Sequence, residues 1–195
     1  MKYKFISFLF LIYLSNNLFS IDIPTYSAKY NFESDEISIT GIREFYSEDN
    51  LFGIKFQASN FFANLFFLSE FNIVNEVVLP LSYQIKIRPK FLDRDQLLSF
   101  DYEDNEISSN GTNEWVMSIN DQSIFDPLNV QIMIRKYVKN DLKEFNLNII
   151  DMEEGGYKKY TFKIIGSEEC YLKNNKFECL ILQRTSDNSE RKVTY

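Results

Sequence analysis

Asp126-Pro127-Leu128-Asn129-Val130-Gln131-Ile132-Met133-Ile134-Arg135-Lys136-Tyr137-Val138 is the one stretch with a helical period in a chain that otherwise alternates like strands. Asp126 suits an N-cap, because its carboxylate can accept from the free amides of a first turn. Pro127 suits the first helical position, where no amide hydrogen is needed. Val130, Met133, Ile134 and Tyr137 follow at i, i+3, i+4 and i+7, one face of a helix. Leu128 and Ile132 fall on nearly the opposite side. A helix over 127–138 with two apolar sides is wetted only on narrow flanks. That predicts a sheet curled around it, with Lys136 and Lys139 turned outward.

The segments around the helix supply such a sheet. Phe52, Ile54, Phe56 and Ala58 alternate with Gly53, Lys55 and Gln57. Tyr83, Ile85 and Ile87 alternate with Gln84 and Lys86; Leu98, Phe100 and Tyr102 with Ser99 and Asp101; Trp115, Met117 and Ile119 with Glu114 and Ser118. Phe145, Leu147 and Ile149 alternate with Asn146 and Asn148, and Tyr160, Phe162 and Ile164 with Thr161 and Lys163. Most of these segments read as strands with one apolar face. Turn-forming residues separate them: Ser34-Asp35, Glu48-Asp49-Asn50, Asp104-Asn105, Asn110-Gly111, Gly155-Gly156 and Asn174-Asn175. The expected fold is mainly β, a strongly curved antiparallel sheet or incomplete β-barrel.

Ser59 to Leu68 departs from this pattern, with phenylalanines at 61, 62, 66 and 67. Capped by Ser59 or Asn60, Phe61, Leu65 and Leu68 would share a helical face, giving a second short helix over 60–67. It reads either as a plug in an open barrel end or as an apolar lid over a lipid-sized cavity. On the second reading Phe61, Phe62, Phe66, Met133 and Tyr137 are the candidate ligand-binding residues.

Composition narrows the function. The net charge is −7, from 21 basic and 28 acidic residues, so nucleic acid and anionic membrane surfaces are disfavoured partners. No histidine is present, which removes every Ser-His-Asp, Cys-His or His-metal arrangement within the chain. Hydrophobic content of 45% and aromatic content of 16% supply ample core. At the N-terminus Lys2 and Lys4 precede an apolar run from Phe5 to Leu14, with Ser20 a small residue before a cut. Residues 1–20 read as a secretory signal peptide and 21–195 as a single β-rich domain in the periplasm or outside the cell. Membrane contact is then open to the protein, but not integral residence.

Cys170 and Cys179 are the only cysteines. A two-residue turn at Asn174-Asn175 sets Leu172 opposite Phe177 and Cys170 opposite Cys179, close enough for a disulfide. Behind a signal peptide, this pairing predicts a disulfide in an oxidising compartment. A redox pair or half a metal site is the rival reading, but there is no Cys-x-x-Cys spacing and no further soft ligand.

Few residues offer chemistry. Asp101, Glu103, Asp104 and Glu106 lack the glycine and glutamate positions of a calcium loop and read as a solvated turn, as does Glu153-Glu154-Gly155-Gly156. Asn110-Gly111-Thr112 matches a glycosylation acceptor but reads better as a turn. Arg43, Arg88, Arg135 and Arg184 are candidate functional cations, each equally able to flank a strand. There is no phosphate loop, dinucleotide fingerprint or nucleophile elbow. No enzyme activity, cofactor or metal is expected.

Four stretches carry a family resemblance: Leu79-Pro80-Leu81-Ser82-Tyr83, Phe125-Asp126-Pro127-Leu128 with Arg135, Tyr160-Thr161-Phe162-Lys163-Ile164, and Asp187 to Tyr195 with Arg191. Together they resemble the bacterial domain of unknown function family 3108, although the arginine that usually precedes the proline is absent at Leu79. The resemblance implies a secreted, β-rich envelope protein with no catalytic residues to carry over. It also implies a final hairpin beyond Tyr195. The function expected is binding or carriage of a lipid or other hydrophobic envelope component. The alternative is a structural module that engages an envelope protein through an exposed sheet edge.

Overall fold

Alternating apolar residues produce strands along nearly the whole chain. A computed structural model describes residues 23–33, 38–61, 63–89, 94–119, 123–172, 174–186 and 189–194. The segment read as a signal peptide, the Ser34-Asp35 turn and Phe62 lie outside them. The strands are β1 (Tyr26–Glu33), β2 (Ser38–Glu48), β3 (Leu51–Ser59), β4 (Ala63–Val74), β5 (Val77–Pro89), β6 (Arg94–Asp101), β7 (Glu106–Gly111) and β8 (Trp115–Ser118). After them come β9 (Ile124–Phe125), helix α1 (Val130–Lys139), β10 (Glu144–Ile150), β11 (Tyr157–Leu172), β12 (Asn175–Ser186) and β13 (Ser189–Thr194).

The first eight strands form one antiparallel meander, each bonded to the next in sequence. The second sheet runs β13-β12-β11-β10-β9, with β9 parallel to β10 and the other pairs antiparallel. A parallel pair needs a crossover, and α1 is that crossover. The sheet is curved but not closed.

Cross-strand partners share a face, so pairing defines rows across the first sheet. One row is Tyr26, Phe45, Ile54, Ser69, Tyr83 and Leu98; the next is Ala28, Arg43, Phe56, Phe67, Ile85 and Gln96. Phe45, Ile54, Tyr83, Ile85, Leu98 and Gln96 are buried, so these rows face inward. Val130, Ile132 and Met133 of α1 join one apolar cluster with Ile54 and Phe71 of the first sheet and Phe145 and Phe162 of the second. The helix therefore packs in the concavity. Each such side chain contributes about 1.5–3 kcal/mol on burial.

Four local expectations need correction. Regular helix α1 begins at Val130 rather than at Pro127, although Asp126 does act as a cap. Its Oδ1 accepts from the amides of Leu128 (2.7 Å) and Asn129 (2.9 Å), and the Asn129 carboxamide oxygen accepts in return from the Asp126 amide (3.0 Å). These are N-cap bonds, and the Val130 amide bonds the Asp126 carbonyl (3.2 Å), but the Gln131 and Ile132 amides reach back only three residues, so the regular helix starts late. Lys136 is not outward: its Nζ lies 2.7 Å from the Glu76 carbonyl oxygen and 2.9 Å from the Glu76 carboxylate, tying α1 to the β4–β5 turn.

Residues 63–67 are strand, not helix. Asn60 does accept from an amide three residues on (Ala63, 2.8 Å), but the Asn60 amide also donates to the Ala63 carbonyl, which closes a hairpin turn. Asn75 and Glu76, at φ 49° and 64°, form a second tight turn, so β4 pairs with β5 from Ala63 to Val74. Pro80 is tolerated inside β5 because the register shifts between Glu70 and Phe71, leaving Leu81 unpaired.

The fourth correction concerns the cysteine hairpin. Leu172 pairs with Asn175 rather than with Phe177, so the hairpin closes one residue earlier than a turn at Asn174-Asn175 requires. Cys170 then faces Phe177, and Cys179 faces Glu168. Moving a two-residue turn by one place shifts the register by two, which keeps every side chain on its face. The cysteines remain on a shared face and are bonded diagonally, with Cα atoms 5.8 Å apart.

Candidate ligand-binding cleft

Between the β1–β2 side of the first sheet, α1 and the second sheet runs a cleft of about 720 Å³. Tyr26, Ala28 and Tyr30 enter it from alternate positions of β1. Arg43 enters from β2, where its partners are the small Ala28 on one side and Phe56 on the other. One side of α1 supplies Val130, Gln131, Ile134 and Arg135, spaced at helical intervals. The second sheet supplies Tyr160 and Phe162 from β11 and Leu182 and Arg184 from β12, where Arg184 pairs with Phe162.

Three arginines from three elements thus meet in one cavity of a net acidic protein, and among the described residues no aspartate or glutamate lines it. The Arg184 guanidinium lies 4.8 Å from the centroid of the Tyr160 ring, a cation–π contact. Arg43 Nε is buried and has no hydrogen-bond partner among the described residues. A buried donor left unmatched costs about 1–3 kcal/mol, so packing alone gives no reason for it. Among the described residues no carboxylate pairs with Arg43 or Arg135. Planar guanidinium forks suit carboxylate and phosphate oxygens, while the isoleucine, leucine and aromatic walls suit an apolar chain.

The one carboxyl near the start of α1 with a strongly raised proton affinity lies apart from these groups. Burial pushes the Asp126 carboxyl up to about 7, against the opposing pull of bonds from Ser69, Asn129 and Leu128. That carboxyl is fully buried and does not line the cleft, so it serves the turn before α1. The acidic turns are solvated, as expected: Asp101 Oδ1 accepts from the Glu103 and Asp104 amides, and Asp151 Oδ1 from the Glu153 and Glu154 amides. Gly111 ends β7 at φ +109°, with the neighbouring Thr112 amide bonded to the Asp95 carbonyl.

The arginine candidates and the aromatic candidates fare differently. Arg43, Arg135 and Arg184 converge, whereas Arg88 sits on the outer face, 3.1 Å from Asp95. Phe61 is 78% exposed in the β3–β4 turn. Phe66 pairs with Gln57 and Lys86 on the convex face and lines a shallow outer depression; Phe67 is the inward residue, its ring 6.1 Å from that of Phe56. Met133 is only 1% exposed, within the core. Tyr137 packs edge-on to Phe145 at 5.0 Å and lines a separate opening of about 510 Å³ with Val77, Phe125 and Leu147. These aromatic and methionine positions are therefore not brought together. Tyr26, Tyr30 and Tyr160 were missed, although Tyr26-x-Ala28-x-Tyr30 carries a signal: two rings flank a small residue on one strand face.

The fold and cleft define a β-barrel-like protein in which two sheets clasp one helix and leave an arginine-lined opening between them. The chain belongs to the family described as "Protein of unknown function (DUF3108)", which matches residues 23–195. Among solved structures it is similar to the beta-barrel-like protein of domain of unknown function DUF1849 from Brucella abortus. Identity is 10% and the TM-score 0.52, with 84% of this chain and 80% of that chain covered. That likeness is one of fold. No curated protein matches the chain.

Proposed function

We propose that this is a non-catalytic binding or carrier protein for a lipid or other hydrophobic envelope component, held in the cleft between the two sheets. The observation that carries the reading is the cleft itself, whose volume lies in the range of about 300–1,000 Å³ usual for small-molecule sites. Its walls combine Ile134, Phe162 and Leu182 with a few convergent polar groups. The Cys170–Cys179 disulfide supports an oxidising compartment, the periplasm or outside the cell. Among the described residues no helix is long and apolar enough to cross a membrane.

Native mass spectrometry of protein purified from whole-cell extract tests the proposal. The expected result is an added lipid-sized mass that leaves on collisional activation. Ala28→Trp, placed to fill the cleft beside Arg43, should remove it. Bare protein mass under gentle conditions, together with no uptake of a long-chain fluorescent probe, rules the reading out.

A further inference from the structure

We infer that the ligand of this cleft carries an anionic head, a carboxylate or phosphate, clamped by Arg43 and Arg135 beside Arg184, with its apolar chain against Ile134 and Leu182; the inference rests on the carrier reading. The argument is one of complementarity. A carrier for neutral chains alone gains nothing from cations in its wall, because desolvating a guanidinium is costly without a matching anion. Here an inward-facing arginine holds a buried Nε–H that is unmatched among the described residues, and no described carboxylate lines the cleft. The surrounding protein is net acidic, so the cations are a local feature rather than a general surface charge. A free inorganic anion would satisfy the guanidinium groups but leave the apolar walls without a partner. An amphiphile satisfies both.

The position of the cations sharpens the inference. Arg43 projects from the sheet wall between Ala28 and Phe56, whereas Arg135 is exposed on α1. They belong to different walls, so a head group must bridge sheet and helix to use both. Such bridging favours groups with several acceptor oxygens.

The test uses the purified protein stripped of lipid and measures affinity by calorimetry or probe displacement. Palmitate and lysophosphatidic acid should bind at least about tenfold more tightly than hexadecanol, the expected worth of charge-assisted hydrogen bonds. Arg43→Gln and Arg135→Gln should each erase most of that difference, through lost affinity for palmitate and lysophosphatidic acid. Arg88→Gln on the outer face should alter neither. Arg135 is exposed on α1, so its variant keeps the test intact if Arg43→Gln fails to fold. Equal binding of palmitate and hexadecanol, with both variants silent, overturns the anionic head and leaves the carrier reading standing. Inorganic phosphate or acetate binding as tightly as the long-chain acids overturns the amphiphile in favour of a free anion. Binding of none of these probes overturns the inference and the carrier reading together.

Discussion

Asp126 shows how one residue can satisfy a sequence rule and still do something else. Its carboxylate caps amides, as its position before Pro127 predicts, yet it is fully buried, with Oδ2 accepting from Ser69 Oγ at 2.6 Å and from Asn129 Nδ2 at 2.5 Å. Among the described residues no cation is paired with it. Burial raises its proton affinity from an ordinary 3.8 to about 7, so the folded protein holds this proton more tightly than the unfolded chain does. Stability should therefore decline as pH rises through that window and level off above it, by as much as about 4 kcal/mol. Asp126→Asn should abolish that decline in denaturant titrations at successive pH values. It should also be less stable than the parent at pH 5, because its NH2 must face either the Asn129 carboxamide donor or the two backbone donors. A parent and variant that keep the same slope would locate the titration elsewhere. Asp151 has the opposite sign. Partial burial raises it, but the Lys158 ammonium at 2.6 Å and the Glu153 and Glu154 amides outweigh that and hold it below its ordinary value. Its contribution is lost only in acid.

Among the elements, the β11–β12 hairpin is the longest in the second sheet, and its tip is unsupported: Tyr171, Phe177 and Leu180 are exposed. Closing so short a loop with a disulfide is worth about 2–3 kcal/mol in the unfolded-chain account. An exposed tip can open by itself, so most of that effect should be local. Cys170→Ser with Cys179→Ser should speed amide exchange across 166–181 while 145–150 in β10 stays protected. Loss of protection in both would mean that the bond holds the whole sheet. The same hairpin shows what sequence can deliver. Face and disulfide were legible because alternation and cysteine spacing survive a two-residue slip. The register was not, because Lys173-Asn174 and Asn174-Asn175 are both acceptable corners. Likewise β4 was hidden by paired phenylalanines, which fit periods of two and of 3.6 equally well. Asn75-Glu76, the turn that decides the matter, lacks the glycine that usually announces it. In the cleft, the arginines were visible as candidates, but only the tertiary fold separates Arg88 from the other three.

At the scale of the molecule, the far side of the first sheet is locked to the second sheet by polar contacts. Gln96, fully buried, donates to Ser109 Oγ (2.8 Å) and to the Met152 carbonyl (2.6 Å), while Trp115 Nε1 lies 3.4 Å from that carbonyl. Gly155, at φ +76°, lies so close to Trp115 that an added Cβ would meet Cδ2 at 3.0 Å. Gly155→Ala should cost about 1 kcal/mol or more from backbone strain and shift the emission of this single tryptophan. Ligand entering the arginine cleft should leave that emission unchanged, since Trp115 does not line it. A large change on ligand addition would place the binding site on the Trp115 side instead.

The crossover through α1 also sets an order of synthesis. The first sheet is complete at Ser118, built from pairings between neighbours in sequence, but the helix and second sheet that cover its concave face begin only after residue 123. Until Val130, Ile132 and Met133 emerge, Phe45, Ile54 and Phe71 form an uncovered apolar bowl. A chain ended at residue 119 should therefore aggregate or be bound by chaperones, and adding back the segment from 123 onward in trans should restore its solubility.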